Sequence, residues 1–237
     1  MNISIDIKLL LILIIAFIPF IVIVAISHEY GHITVAKFLG YETKLHYASM
    51  YYDDSELSNK IKEIYSHYKF EIEHDQNFSK KAEYERGVNK LNSDGLLISI
   101  GGPLQTIITG MIGFLILMWR RKSIYKSGLN FSDWLAVFLT LFWLREIFNL
   151  ITSIGGEIIS PNGTWFGGDE LYISQSLNLW SGTISIILGI IGLTIITYIT
   201  FKLLPKKIRL IFITSGFIGG IFGFILWVNI IGPKILP

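Results

Sequence analysis

The chain has 237 residues, 51% of them apolar or aromatic and 16% charged, with a mean hydropathy of +0.55. Soluble domains carry about 25% charged residues, so an ordinary soluble, disordered or collagenous protein is excluded. A net charge of +2 leaves no basic footprint for nucleic acid. The absence of cysteine removes disulfides, thiolate metal sites and a cysteine nucleophile.

A bilayer core about 30 Å thick takes roughly 20 mostly apolar helical residues to cross. Leu9 to Ile26 supplies 18 residues without a polar side chain, and its pattern runs on through a polar patch to Leu39. This run is too long for a cleavable signal peptide and has no small-x-small site at its end, so it reads as a signal anchor. Tyr41 to Gly95 is polar, with charges of both signs, and is expected to be a small extramembrane insertion. Further spans are predicted at Leu96 to Trp119, Trp134 to Ile154, Thr183 to Phe201 and Leu210 to Ile231, with a half-helix at Asp169 to Trp180 as a possible addition. The expected architecture is an all-α, polytopic membrane helix bundle of about five transmembrane helices. It forms a single membrane-embedded domain over residues 1–237 with the insertion at 41–95 inside it. Gly219 and Gly223 in the last span form a G-x-x-x-G pair that predicts close helix packing.

Short loops orient a membrane protein through Lys and Arg. Arg120, Arg121, Lys122 and Lys126 follow the second span, and Lys202, Lys206, Lys207 and Arg209 follow the fourth. With an odd number of spans, this places the N-terminus and both basic loops on the cytoplasmic side. The end of the first span and Asp169 are then expected toward the outer face.

The polar patch continuing the first span is His28-Glu29-Tyr30-Gly31-His32, an H-E-x-x-H sequence. Residues four apart share a helix face, so both imidazoles can reach one metal ion, and Glu29 beside them can take a proton from water. Composition alone would produce such a match in roughly one chain in two hundred. Ionisable groups placed directly after an apolar span are costly unless they have partners, which favours metal binding over a solvated helix end. A catalytic zinc site wants a third protein ligand and one open position. His46, His67 and His74 all fall in the polar insertion and read as surface residues. The acidic candidates near span ends are Glu146, Glu157, Asp169 and Glu170. Asp169 follows Phe166-Gly167-Gly168, and its spacing suits a ligand and a helix cap equally.

These elements resemble the site-2 protease family of intramembrane zinc metalloproteases. Gly101-Gly102-Pro103-Leu104-Gln105 is similar to the family's Gly-Pro-x-x-Asn element, with Thr106 where the Asn would fall. Gly167-Gly168-Asp169-Glu170 is similar to its Asp-Gly element, with Glu170 in place of the Gly. The resemblance implies one Zn2+ ion held by His28, His32 and Asp169, with Glu29 as general base. It implies hydrolysis of a transmembrane or membrane-associated peptide substrate, an active site nearer the cytosolic surface, and residence in the cell membrane of a prokaryote among lipid. The family places an Asn shortly before the ligand Asp. Asn149 and Asn162 are the candidates here to hold the substrate backbone or the oxyanion, with Gly102 and Pro103 lining the substrate path.

Arg145 and Glu146 in the third span are costly there, and read either as a structural ion pair with other spans or as part of the site. Two rival readings remain open. One is a different membrane metalloprotease class with Glu146 or Glu157 as third ligand. The other is a non-catalytic metal-binding membrane protein.

Overall fold

The computed structural model describes residues 6–160 and 165–237. Candidate Asn162 therefore lies outside the described residues. The described chain is almost entirely helical, with one two-stranded sheet, and five of its helical segments are long and apolar enough to cross a membrane. These are Ile7–Phe38, Lys81–Ser127, Phe131–Ile159, Thr183–Leu203 and Lys206–Ile235. The fold is the expected all-α bundle.

Helix α1 (Ile7–Phe38) starts where Asp6 accepts the Leu9 N–H at 3.0 Å. It ends at Gly40, whose φ of +92° favours glycine. Gly40 N–H donates to Lys37 O, and Tyr41 N–H to Ala36 O, so the last carbonyls of the helix are satisfied as the chain turns out of it. The antiparallel hairpin β1 (Thr43–Leu45) and β2 (Met50–Tyr52) follows, then α2 (Ser55–His67) and α3 (Lys69–Glu73). Helix α4 begins at Lys81, well before the predicted Leu96, and runs 47 residues to Ser127, about 70 Å at 1.5 Å per residue. The second half of the insertion is therefore an extension of the second span. Tyr41 Oη donates to Asp94 on this helix at 2.6 Å, and Lys90 Nζ binds the same carboxylate at 2.7 Å. Partial burial and the hydrogen bond to Asp94 push the Tyr41 phenol above its ordinary pKa.

The third span is a broken helix: α5 (Phe131–Thr140), a 3₁₀ turn at Leu141–Trp143, and α6 (Leu144–Ile159). Asn130 and Asp133 form a capping box at its start, and Arg120 pairs with the buried Asp133. The half-helix is real and short, α7 (Gly168–Ser176). Then come α8 (Thr183–Tyr198), α9 (Lys206–Ile225) and α10 (Gly232–Ile235).

Lipid tails are as apolar as Leu, so helices in a bilayer associate by close packing, and small residues let them approach. Helix α9 runs parallel to α1. Ser215 Oγ donates to Leu10 O at 3.2 Å, a Cβ at Gly219 would sit 2.5 Å from Ile14 O, and one at Gly223 would sit 2.9 Å from Ile18 O. The G-x-x-x-G pair thus packs within the chain. Phe17 and Phe20 of α1 meet Phe138 at 5.1 and 5.4 Å between ring centroids, filling the centre of the bundle. Tyr125 Oη donates to Lys202 O at 3.1 Å, so both basic loops lie together, at the end of the bundle that holds the first turn of α1. The hairpin and the C-terminal residues sit at the other end, where Trp227 Nε1 donates to Tyr47 O.

Gly219→Ala is expected to force α1 and α9 apart at Ile14 O and destabilise the bundle by about 1–3 kcal/mol. Thermal unfolding in detergent checks this, and unchanged melting would refute the packing role.

Candidate metal centre

The H-E-x-x-H sequence lies on α1 opposite the Gly-Gly-Pro element of α4, and the two helices touch backbone to backbone. A Cβ at Gly31 would lie 2.3 Å from Gly101 O, and a Cβ at Gly101 would lie 2.6 Å from Gly31 O. No side chain larger than hydrogen fits at either position without moving a helix. Helix α4 continues unbroken through Gly101, Gly102 and Pro103. The glycines here serve close approach of the two helices.

Three donor atoms converge behind this contact. His28 Nε2 and His32 Nε2 are 3.1 Å apart, and Asp169 Oδ2 is 3.0 Å from the first and 3.3 Å from the second. His28 is fully buried and His32 nearly so, while the Asp169 side chain is 26% accessible. Asp169 stands in the first turn of α7. The N-cap of that helix is Gly167, so Asp169 is no cap, and Gly168 (φ +69°) turns the chain into the helix. Among the described residues, these three form the group able to share one metal ion.

The remote ring nitrogens decide what the imidazoles offer. His32 Nδ1 lies 2.6 Å from Ile98 O, which can only accept, so Nδ1 carries the proton. Gly102 N–H also lies 3.2 Å from this nitrogen, but the carbonyl is the nearer partner. His28 Nδ1 lies 3.0 Å from Thr106 Oγ1, whose own hydrogen goes to Gly102 O at 3.1 Å. His28 Nδ1 therefore donates as well. Both rings are left presenting Nε2 lone pairs to the same point as the carboxylate oxygen. Three acceptors facing one another repel unless a cation lies between them. Zinc bonds of 2.0–2.1 Å at tetrahedral angles would place their donors about 3.3 Å apart, close to the separations here. The space is kept open by Gly102, where a Cβ would sit 2.2 Å from His32 Nε2 and 2.4 Å from His28 Nε2. The residues fit a single divalent ion.

Glu29 is buried at 7% exposure, and among the described residues it forms no hydrogen bond or ion pair. Glu157 is occupied elsewhere, accepting from Trp165 N at 3.4 Å. His67 and His74 bond to carbonyls of their own helices, and His46 bonds to Pro237 O.

Asn149, expected to hold substrate, does something else. Its Nδ2 donates to Glu170 Oε1 at 2.9 Å, tying α7 to α6 beside Asp169. Glu170 and Glu146 are each 1% exposed, and Glu170 Oε2 and both Glu146 oxygens lack partners. Arg145 and Glu146 do not pair with each other. Sequence reasoning missed the roles of Thr106 and Ile98 O, since a mismatch to a motif and a backbone carbonyl carry no ligand signal. It also missed the structural role of Glu170, although that residue adjoins the candidate ligand.

No family model, curated protein or solved structure matches the chain.

Gly102→Ala is expected to abolish zinc binding in a protein that remains folded, because its methyl would occupy the space between the imidazoles. Metal analysis beside circular dichroism would show this. Glu170→Ala should weaken zinc affinity about 10–100-fold by releasing the support of Asp169. Competition with a chelator of known affinity measures it, and wild-type affinity would sink the supporting role.

Proposed function

We propose that the chain is a membrane-embedded zinc metalloprotease of the site-2 protease type, residing in a prokaryotic cell membrane and hydrolysing peptide bonds of membrane-embedded or membrane-associated substrates. The observation that carries this reading is the convergence of His28 Nε2, His32 Nε2 and Asp169 Oδ2, with an unpartnered Glu29 next to the first ligand.

His28, His32 and Asp169 would hold one Zn2+ ion and leave one coordination position open. Bound there, zinc supplies a Lewis acid that polarises a carbonyl oxygen and brings the pKa of water toward neutrality. The protein's own residues do the rest. Glu29 accepts a proton from the attacking water and delivers it to the leaving amine nitrogen as the carbon–nitrogen bond breaks. Its freedom from hydrogen bonds suits a group that must gain and lose a proton, and favours an enzyme over a passive metal binder. Thr106 and the Ile98 carbonyl keep both imidazoles in the tautomer that binds metal. Pro103 has no N–H, so the Ser99 carbonyl four residues earlier loses its helical donor and can accept from an extended peptide. The partly accessible Asp169 and the exposed Gly167 and Gly168 give water a route to a centre otherwise buried among helices.

Purified protein is expected to hold one zinc per chain. His28→Ala and Asp169→Ala should lose it, while Glu146→Ala keeps it. Glu29→Gln should retain the metal and lose at least 10²-fold in cleavage of single-span peptides in detergent or nanodiscs. Normal turnover by Glu29→Gln, or a metal-free wild type after zinc loading, would overturn the assignment.

A further inference from the structure

The basic end of the bundle carries cations that the chain itself does not neutralise. Arg121 and Lys122 stand near the end of α4, and Lys206, Lys207 and Arg209 stand in the first turn of α9. The hydrogen bond from Tyr125 Oη to Lys202 O joins the two groups at 3.1 Å. Among the described residues, the carboxylates at this end are Asp133 and Asp6, and both are taken. Asp133 pairs with Arg120 inside the capping box of α5, and Asp6 accepts the Leu9 N–H. The five cations form no ion pair among the described residues. Helix polarity makes their placement costly. The N-terminus of a helix is its positive end, where carboxylates are favoured and Lys and Arg are not. Helix α9 starts on Pro205 with no side chain capping it, and three of its first four residues are basic. An external anion would relieve that repulsion.

Two of the guanidiniums are already oriented. Arg121 lies over the Tyr125 ring, 5.5 Å from its centroid, and that ring is itself fixed by the bond to Lys202 O. Arg209 Nε donates to Leu204 O at 2.9 Å, two residues beyond Lys202, which leaves its terminal nitrogens to donate elsewhere. An arginine fork meets two oxygens of one phosphate. Depth decides the source of that phosphate. Trp119 and Phe131, 87% and 84% exposed, stand on either side of Arg121 in the chain, and exposed aromatics of this kind mark the headgroup level of a bilayer. A zwitterionic headgroup brings its own amine to compete for the phosphate, whereas an anionic one does not. We propose that the basic end is a binding site for an anionic phospholipid, whose phosphodiester oxygens accept from Arg121 and Arg209 while Lys206 and Lys207 add positive potential. The site lies at the other end of α1 from the H-E-x-x-H sequence and does not depend on the chemistry assigned there.

The test uses the full chain in a nonionic detergent, offered equal amounts of phosphatidylglycerol and phosphatidylcholine. Native mass spectrometry should show phosphatidylglycerol retained in at least about tenfold excess, and phosphatidylglycerol alone of the two should raise the melting temperature. Arg121→Gln with Arg209→Gln should bring the preference to within about twofold of parity. Lys206→Gln with Lys207→Gln, whose side chains are exposed, should lower it while leaving the Arg209 bond to Leu204 O in place. Lys62→Gln with Lys80→Gln removes the same charge from exposed positions of the insertion and should leave the preference as in wild type. Equal retention of the two lipids by wild type, an undiminished preference in either basic-end variant, or an equal fall in the insertion variant would overturn the proposal. Competition by glycerol phosphate at the lipid's concentration would make this a free phosphate site and refute the lipid assignment. Displacement of phosphatidylglycerol by soluble polyglutamate would refute it too, marking the end as a surface for an acidic protein.

Discussion

The backbone contact between Gly31 of α1 and Gly101 of α4 governs the geometry of the centre. Two helices whose carbonyls meet this closely cannot rotate or slide without collision. The next residue on each helix then falls into place. His32 follows Gly31 and lies against Ile98 O, and Gly102 follows Gly101 and leaves a gap the size of a methyl group between the two imidazoles. A van der Waals contact between glycines thus does structural work that a salt bridge could not do in a bilayer, where unpaired charge is expensive and close packing is what joins helices.

The polar groups around this contact are arranged so that protons point away from the centre. The Ile98 carbonyl and the Thr106 hydroxyl each take an Nδ1–H, which commits both Nε2 lone pairs inward. The carboxylate comes from a separate element, α7, too short to be stable by itself. Its placement relies on the Asn149–Glu170 hydrogen bond to α6 and on packing against α4, where a Cβ at Gly95 would lie 2.7 Å from Tyr172 Oη.

Much of the fold was legible because its signals are local. Runs of apolar residues mark each span, the break before Asp169 marks the half-helix, and the basic loops cluster as their charges foretold. Other features have no local signature. Helix α4 extends back to Lys81 through residues polar enough to read as a separate insertion, because a helix leaving the membrane needs no apolar face. Asn149 carries the chemistry of a substrate ligand, and only its position opposite Glu170 gives it another task.

By itself, the amino-acid order determined the helical class, the number of spans, the pair of histidines four residues apart and the glutamate beside them. These depend on spacing along one helix. The third donor, the tautomers of the rings and the open space at Gly102 depend on residues 66 to 141 positions apart meeting across helix interfaces. Such meetings are set by which helix faces are small enough to touch, a property of two surfaces together that neither stretch of chain carries alone.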